Sequence, residues 1–139
     1  MSSLGLPKDY GYCVLIAADS VLVLIYLGIR VGRARKQFGV EYPKMYDDDK
    51  PIFNCFQRAH QNTLEHYPQF LSMMLLGGLQ HPRLSAAFGA VWVLSRLFYA
   101  HGYYTGDPAK RMRGAWGGIG FLGVIGCAIS FGLNLLEYI

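Results

Sequence analysis

Charged residues are scarce in this chain. They make up 16% of its 139 residues, whereas a typical soluble domain has about 25%. Hydrophobic residues reach 53%, aromatic residues reach 14%, and the mean hydropathy is +0.22. A chain with so few charges cannot cover its surface with polar groups. The composition therefore excludes an ordinary water-soluble globule and favours an integral membrane protein.

Cysteine is also scarce, which limits the chemistry further. Cys13, Cys55 and Cys127 form no CxxC pair and no cluster with histidine, so the sequence predicts neither a metal site nor a disulfide framework. The acidic run at residues 47–49 is most simply a solvated turn. The net charge of +4 does not indicate a nucleic-acid partner, because the basic residues flank apolar stretches and do not form a polar domain of their own.

Four apolar stretches are long enough to cross a hydrocarbon core of about 30 Å. They are expected at residues 10–30, 53–80, 83–104 and 114–138. The first lacks the short apolar core and cleavage site of a signal peptide, so we interpret it as a retained span. Gly114 and Gly118 have a small-xxx-small spacing that predicts close helix contact. The expected fold is all-α, an integral membrane four-helix bundle in one domain over residues 1–139.

Lysine and arginine are distributed unequally between the predicted loops. The first loop (residues 30–51, with a helical first turn) and the third together carry nine, whereas the opposite side carries Lys8 and Arg83. The positive-inside rule then places the two basic loops in the cytosol and both termini on the other side. Asp19 lies in the middle of span one and would cost about 3 kcal/mol if it faced lipid. We therefore expect it to face other helices or water.

Span two carries a polar flank. At 100° per residue, one side of the predicted helix collects a cation, amides, a carboxylate and an imidazole: Arg58, Gln61, Asn62, Glu65 and His66. This set is a receptor for a small zwitterion, and ionisable residues inside a membrane usually mark a functional site. An alternative interpretation is that Arg58 and Glu65 form a structural ion pair two turns apart.

Span three carries a second polar stripe. Arg96, Tyr99 and Tyr103 are spaced i, i+3 and i+7, near the cytosolic end of the span. Tyrosines at this depth either belong to the interfacial belt or contact a ligand beside the arginine. Both stripes and the basic loops lie toward the same end of the predicted bundle. Together they predict an anion-binding pocket there, open to lipid between helices.

Three motifs at these positions resemble those of the MAPEG family. They are ARKxFxVEYP at residues 34–43, RxHQNxxExxP at residues 58–68 and RxxYAxGYYTGxPxKR at residues 96–111. The similarity extends over nearly the whole chain and keeps four spans in the same order. It implies a four-helix membrane protomer that assembles as a homotrimer in the endoplasmic reticulum membrane, with its site toward the cytosol.

The resemblance also implies a glutathione site between adjacent protomers. Arg58, Asn62 and Glu65 would hold the carboxylates and amine of the tripeptide. Tyr99 and Tyr103 would contact it from the neighbouring protomer. By position, three further residues join the site: Arg35 as a ligand, Arg111 as the cation that stabilises the thiolate, and Lys36 as the group that assists an opening epoxide.

The match to the family departs at several positions. His66 and His60 stand where related enzymes have a tyrosine and a glutamine, and Lys36 stands where they have an arginine. The turn after Tyr104 differs in length, so Arg113 is an alternative to Arg111 as the thiolate-stabilising residue.

The function expected from these features is a glutathione-dependent membrane enzyme. It would conjugate glutathione to lipophilic electrophiles such as the unsaturated epoxide leukotriene A, reduce lipid hydroperoxides, or do both. A non-catalytic lipid-binding scaffold, a role that also occurs in the family, is the alternative. A small channel or transporter is disfavoured, because the outer half of span two is wholly apolar.

Overall fold

Residues 3–138 are described by a computed structural model and are helical throughout most of their length. The four α-helices are α1 (Gly11–Phe38), α2 (Pro51–Gly78), α3 (Pro82–Tyr104) and α4 (Gly117–Leu135). Two short 3-10 helices, Lys8–Tyr10 and Pro108–Gly114, precede α1 and α4. No strand occurs among the described residues, so the all-α part of the predicted fold class is confirmed.

Two segments are both long and apolar enough to cross a membrane. They are Lys8–Phe38 and Gly117–Leu135. At 28 and 23 residues, α2 and α3 exceed the roughly 20 residues that a span needs, but they also carry the polar stripes described above. For α2 and α3, the crossing of the bilayer stays a prediction.

The first predicted loop begins later than expected. Helix α1 continues without a break to Phe38, so residues 31–38 are helical and the expectation of a single helical turn there was wrong. Gly28 and Gly32 lie inside the helix and do not end it. The helix ends at Gly39, whose φ of 68° lies in the left-handed region that favours glycine. The extension is stabilised because Val31 and Ala34 pack against Val40 and Phe53.

Aromatic and apolar side chains of three helices form the largest core cluster. The rings of Phe70 in α2 and Trp92 in α3 stack 4.0 Å apart, and Met74 and Val124 complete the contact with α4. Pro82 follows α2 after a three-residue connection, so α2 and α3 run antiparallel. This hairpin brings the start of α2 beside the end of α3.

Glycines let α4 and the segment before it approach α3 closely. Of the two glycines predicted to make close helix contact, Gly114 does so and Gly118 does not. A side chain at Gly114 or Gly117 would clash with α3 at Ser95, and one at Gly120 would meet the backbone of Phe88. At Gly118, by contrast, no atom beyond its own neighbours in the helix lies within 4 Å of the position that a side-chain carbon would take. Gly114 lies in a 3-10 helix, so the four-residue spacing does not bring Gly118 onto the same face.

Asp19 lies on the exposed surface of α1. No helix among the described residues covers it, so the expectation that this carboxylate faces other helices or water stays a prediction. A bare carboxylate in the middle of a span is costly in lipid. The exposed face of α1 therefore carries one group that an isolated chain leaves without cover.

Candidate functional site

The polar flank of α2 contains an ion pair. Arg58 Nη1 lies 2.9 Å from Glu65 Oε1, and Arg58 Nη2 lies 3.3 Å from Glu65 Oε2. The two side chains are 36% and 53% exposed, so the pair lies on the surface of the chain. The ion pair weighed as an alternative from the sequence therefore forms. Exposed pairs of this kind contribute little stability, and a ligand with opposite charges can replace each partner.

Arg96 of α3 connects the two polar stripes. Its guanidinium is buried and donates from Nη2 to Asn62 Oδ1 at 2.7 Å and from Nε to Thr63 Oγ1 at 3.0 Å. The same group lies 4.0 Å from the centre of the Tyr99 ring. A buried guanidinium needs such partners. Arg96 therefore fixes the orientation of Asn62 and Tyr99 from within the bundle.

The two tyrosines of the second stripe lie beside Arg111. Tyr99 and Tyr103 meet edge to face, with ring centres 5.3 Å apart, and the Arg111 guanidinium lies 6.0 Å from the Tyr103 ring. Arg111 Nη1 donates to the carbonyl of Pro108 at 2.7 Å. A guanidinium has five N–H donors, so this single bond leaves most of them free to face a ligand.

A close backbone approach sets the position of Arg111. Gly102 of α3 lies directly against the Lys110 carbonyl, and a side-chain carbon at Gly102 would overlap the backbone of Lys110 and Arg111. Asp107 caps the 3-10 helix Pro108–Gly114 by accepting a hydrogen bond from the Ala109 amide. The segment expected as a short basic turn is therefore a capped 3-10 helix seated on α3.

Arg35 and Lys36 lie elsewhere at this end of the molecule. Arg35 is buried between the rings of Tyr42 and Phe53, at 4.3 and 5.2 Å, and donates to the Lys44 carbonyl at 2.7 Å. Lys36 is exposed. Both line a cleft of about 550 Å³ at the end of α1. Arg35 thus organises the following loop, whereas Lys36 is free at the cleft surface.

The loop at residues 39–50 is held by two residues that the sequence did not single out. Asn54 exchanges two hydrogen bonds with the backbone of Asp47, at 2.9 and 3.0 Å, and buried Gln57 donates to the Met45 carbonyl at 3.0 Å. A hydrogen bond from the Asp49 amide, helped by Lys44, lowers the pKa of the Asp47 carboxyl. In the sequence, Asn54 and Gln57 could have been noticed as two amides in the first two turns of α2, among mostly apolar neighbours.

The histidines that depart from the family pattern lie on different sides of α2. His66 is exposed, its Nδ1 lies 2.8 Å from the Asn62 carbonyl oxygen, and its ring meets Phe121 edge to face. With Arg96 and Tyr99 it lines a cleft of about 260 Å³ between α2, α3 and α4. His60 instead packs against Gly28 of α1. His66 is therefore placed near the candidate ligands, and His60 is turned away from them.

The structure brings most of the candidate residues together. One set on α2, α3 and the 3-10 helix is connected by the contacts above: Arg58, Asn62, Glu65, Tyr99, Tyr103 and Arg111. Arg58 and Asn62 lie one turn apart on α2, so the ion pair stands beside Asn62 and its contact with Arg96. Arg35 and Lys36 form a second set, separated from the first by the loop. The Tyr46 side chain interacts with Arg58 and the Lys44 carbonyl accepts from Arg35, so the loop touches both.

The described part of the chain contains neither a cluster of metal-ligand side chains nor a disulfide. Within residues 3–138, His, Cys, Asp and Glu side chains form no group of three that could hold a metal ion. All three cysteines are buried free thiols. The connected set of candidate residues on α2, α3 and the 3-10 helix consists of guanidinium, carboxylate, amide and phenol groups.

Comparison with known proteins gives a consistent result. The profile of the MAPEG family matches residues 13–133. Microsomal glutathione S-transferase 2 of Bos taurus is 32% identical over 136 residues, 93% of this chain and 91% of that protein. An uncharacterised protein of Synechocystis is 39% identical over 101 residues, 72% of each chain. Leukotriene C4 synthase of Bos taurus is 34% identical over 84 residues, 60% of this chain and 55% of that protein.

Proposed function

The chain belongs to the MAPEG family, and we propose that it is a membrane-bound enzyme that uses glutathione thiolate against lipophilic electrophiles. The observation that carries the proposal is the convergence of the Arg58 flank of α2 with Tyr99, Tyr103 and Arg111 at one end of the bundle. Two of the relatives, a microsomal glutathione S-transferase and a leukotriene C4 synthase, support glutathione as the co-substrate. Within the family, the three motifs resemble those of microsomal glutathione S-transferase 3.

Binding would use the exposed ion pair of α2. Glutathione carries two carboxylates and one ammonium, so Arg58 would take a carboxylate and Glu65 the ammonium. Both are exposed, and little stability is lost when the pair opens. Asn62, held by Arg96, would add an amide at a fixed position. Tyr99, Tyr103 and Arg35 complete the proposed ligand set.

Arg111 would activate the thiol. A cysteine thiol has a pKa of about 8.5, and a fixed cation beside it lowers that value, so the thiolate forms at neutral pH. The thiol proton passes to solvent. In the transferase reaction, sulfur attacks an epoxide carbon, the C–S bond forms and the C–O bond breaks. Lys36 then gives a proton to the new alkoxide, and solvent restores the lysine.

The same thiolate would also serve a peroxidase reaction. Sulfur attacks the terminal oxygen of a lipid hydroperoxide, the O–O bond breaks, and the lipid leaves as an alcohol after protonation. A second glutathione then reduces the sulfenic acid, which yields glutathione disulfide and water. Both reactions need the lipid's reactive group at the level of the thiolate, at the membrane surface.

We propose that a homotrimer completes the site. Arg35 and Lys36 lie in their own cleft in the single chain, whereas Tyr99 and Tyr103 lie on the same chain as Arg58 and close to its flank. We therefore propose that the neighbouring copy contributes Arg35 and Lys36, in place of the two tyrosines expected from the sequence. Exposed Asp19 on α1 supports contact between copies, because a neighbour would remove this carboxylate from lipid. The proposed location is the endoplasmic reticulum membrane, with the site toward the cytosol.

A lipid-binding scaffold is the second candidate. The observation that favours it is the Arg58–Glu65 pair itself, since each group already satisfies the other without a ligand. Such a protein would bind lipid between its helices and would leave glutathione unchanged.

Titration with glutathione separates the two candidates. The purified protein in detergent is titrated at neutral pH, and thiolate formation is followed by absorbance at about 240 nm, with binding followed by calorimetry. The enzyme proposal predicts a saturable thiolate signal. If calorimetry shows no binding and the thiolate signal is absent, the proposal is wrong and the scaffold is favoured. Binding without a thiolate signal would refute the role of Arg111 and leave the pocket intact.

A further inference from the structure

Arg30 lies in an aromatic niche built by three helices. It directly follows the apolar stretch of α1 that ends at Ile29. Its guanidinium lies 4.4 Å from the centre of the Tyr104 ring and 5.6 Å from that of Phe56, and these two rings stack 4.3 Å apart. Cation–π contacts of this kind hold a cation in place without neutralising it. Arg30 is therefore a fixed positive charge where the hydrocarbon of the membrane would end.

Among the described residues, no carboxylate forms an ion pair with this charge. The ion pairs among residues 3–138 are Lys44–Asp47, Arg58–Glu65 and Arg83–Asp9, and none includes Arg30. Its hydrogen bond to a described residue runs from Nη1 to the Tyr26 hydroxyl at 2.8 Å, although a guanidinium has five N–H donors. The buried hydroxyl of Tyr104, whose ring lies under the guanidinium, also has no hydrogen-bond partner among the described residues. The N–H groups of Arg30 and the hydroxyl of Tyr104 are therefore hydrogen-bond donors that an anion could accept from.

An apolar groove leads away from the niche. The Tyr26 hydroxyl lies 2.8 Å from His101 Nε2, and the two rings stack with centres 6.0 Å apart. They form the polar end of a groove of about 380 Å³ between α1 and α3, which Leu22, Val23 and Leu97 also line. On α1, Leu22 and Val23 precede Tyr26 and lie deeper in the span. The groove thus runs from the charged niche toward the middle of the membrane.

We propose that this niche and groove bind an anionic phospholipid. The phosphate would accept hydrogen bonds from Arg30, with Tyr26 and His101 beside it, and an acyl chain would lie along Leu22, Val23 and Leu97. Guanidinium matches phosphate with parallel hydrogen bonds. Basic pockets between helices on the cytoplasmic side of a membrane suit anionic headgroups. A zwitterionic lipid brings its own ammonium group, so it binds more weakly beside Arg30.

The lipid site is separate from the proposed glutathione site. On α2, Phe56 points about 160° away from Arg58, since two residues turn the helix by about 200°. Arg30, Tyr26 and His101 belong to neither set of glutathione ligands. Lipid binding is therefore independent of the transferase proposal, and either can fail without the other.

Thermal unfolding in detergent tests the proposal. The melting temperature is measured with phosphatidylglycerol and, separately, with phosphatidylcholine of the same acyl chains. Wild type should gain about 3 °C or more from phosphatidylglycerol beyond the gain from phosphatidylcholine. Arg30→Gln should lose this difference. Arg33→Gln is the matched control, because Arg33 is an exposed arginine on the same helix and should keep the difference.

Several outcomes would overturn the proposal. An unchanged difference in Arg30→Gln excludes this residue, and an equal loss in Arg33→Gln shows diffuse attraction by the basic end of the molecule. Inorganic phosphate and a short-chain glycerophosphate are added in parallel, and full stabilisation by either would show a phosphate site without a lipid groove. Native mass spectrometry of wild type in an equal mixture of the two lipids should retain phosphatidylglycerol. Equal retention of both would refute the proposal even if Arg30→Gln fails to fold.

Discussion

Arg58 and Arg96 show how one residue type has two different roles according to its surroundings. The Arg58 guanidinium is on the surface and pairs with a carboxylate that is itself exposed. Arg96 is buried, and its partners are the neutral oxygens of Asn62 and Thr63. A surface cation can exchange partners with a ligand, whereas a buried one cannot lose its partners without a large desolvation cost. Arg58 is therefore suited to binding and Arg96 to positioning.

Replacement of Arg96 by methionine should destabilise the protein. Arg96→Met removes both donors, so Asn62 Oδ1 loses its partner and Thr63 Oγ1 keeps only the hydrogen bond that it donates to the Ala59 carbonyl. This loss costs about 2 kcal/mol or more. Thermal unfolding in detergent measures the change. Lys110→Met is the control, because Lys110 is exposed and its loss should have little effect. Equal stability of the two variants would show that Arg96 does not hold the α2–α3 contact.

Arg111→Ala should separate glutathione binding from thiolate formation. Because Arg58, Asn62 and Glu65 stay in place, calorimetric affinity for glutathione should remain within a few fold of wild type. The thiolate absorbance should disappear, since the cation beside the thiol is gone. Arg113→Ala is the matched control. If Arg113→Ala abolishes the signal and Arg111→Ala keeps it, the roles of the two arginines are exchanged.

At the scale of elements, two connections decide the shape of the candidate site. The 3-10 helix Pro108–Gly114 carries Arg111, and its seat on α3 depends on the missing side chain of Gly102. The loop at residues 39–50 depends on Asn54 and Gln57 of α2 and on Arg35 of α1. Each connection is thus held by residues of the helices it joins. Local changes in those helices should therefore alter the site from a distance.

Gly102→Ala should reduce activity without removing a ligand. The added methyl group overlaps the backbone of Lys110 and Arg111, so the 3-10 helix must shift away from Tyr103. Because catalysis depends on the exact position of Arg111, this shift should lower turnover by about tenfold or more. Turnover is measured as glutathione conjugation to a lipophilic electrophile. Gly126→Ala is a suitable comparison, because nothing lies within 4 Å of a side chain added there. Similar rates for both variants would contradict the proposed seat.

At the scale of the whole molecule, charge and helix direction place the candidate site at one end. Nine of the 13 lysines and arginines lie in the first and third connections or the helix ends beside them. The end of α1, the start of α2 and the end of α3 meet at this same end. If the chain crosses the membrane as we propose, the positive-inside rule assigns this end to the cytosol.

Cysteine labelling tests this orientation. The native cysteines are buried, so single exposed cysteines can be introduced by Lys50→Cys in the first loop and Leu4→Cys near the start of the chain. In sealed microsomes, a membrane-impermeant maleimide should modify Lys50→Cys and should not reach Leu4→Cys until detergent is added. The reverse pattern would place the candidate site on the lumenal side.

The sequence alone was enough for features that depend on local spacing. The helical repeat of α2 placed Arg58 and Glu65 on one flank, because residues seven apart return to the same side after two turns. The apolar composition and the length of the apolar stretches indicated an all-α membrane protein, and both are read from the sequence alone. The predicted end of α1 was nevertheless wrong. The helical turns after Ile29 keep an apolar side, on which Val31 and Ala34 pack against Val40 and Phe53. Val40 lies in the loop after the helix and Phe53 lies in α2, so spacing within α1 could not reveal these contacts.

Only the tertiary structure decided which groups meet across helices. Arg96 lies 34 residues from Asn62 along the chain, and the niche of Arg30 combines side chains from α1, α2 and α3. No local repeat links these positions, since their distance depends on helix packing. The same is true of Gly102, whose need to lack a side chain comes from the Lys110 carbonyl above it. Spacing along one helix thus determined the polar flank, and packing between helices determined the site.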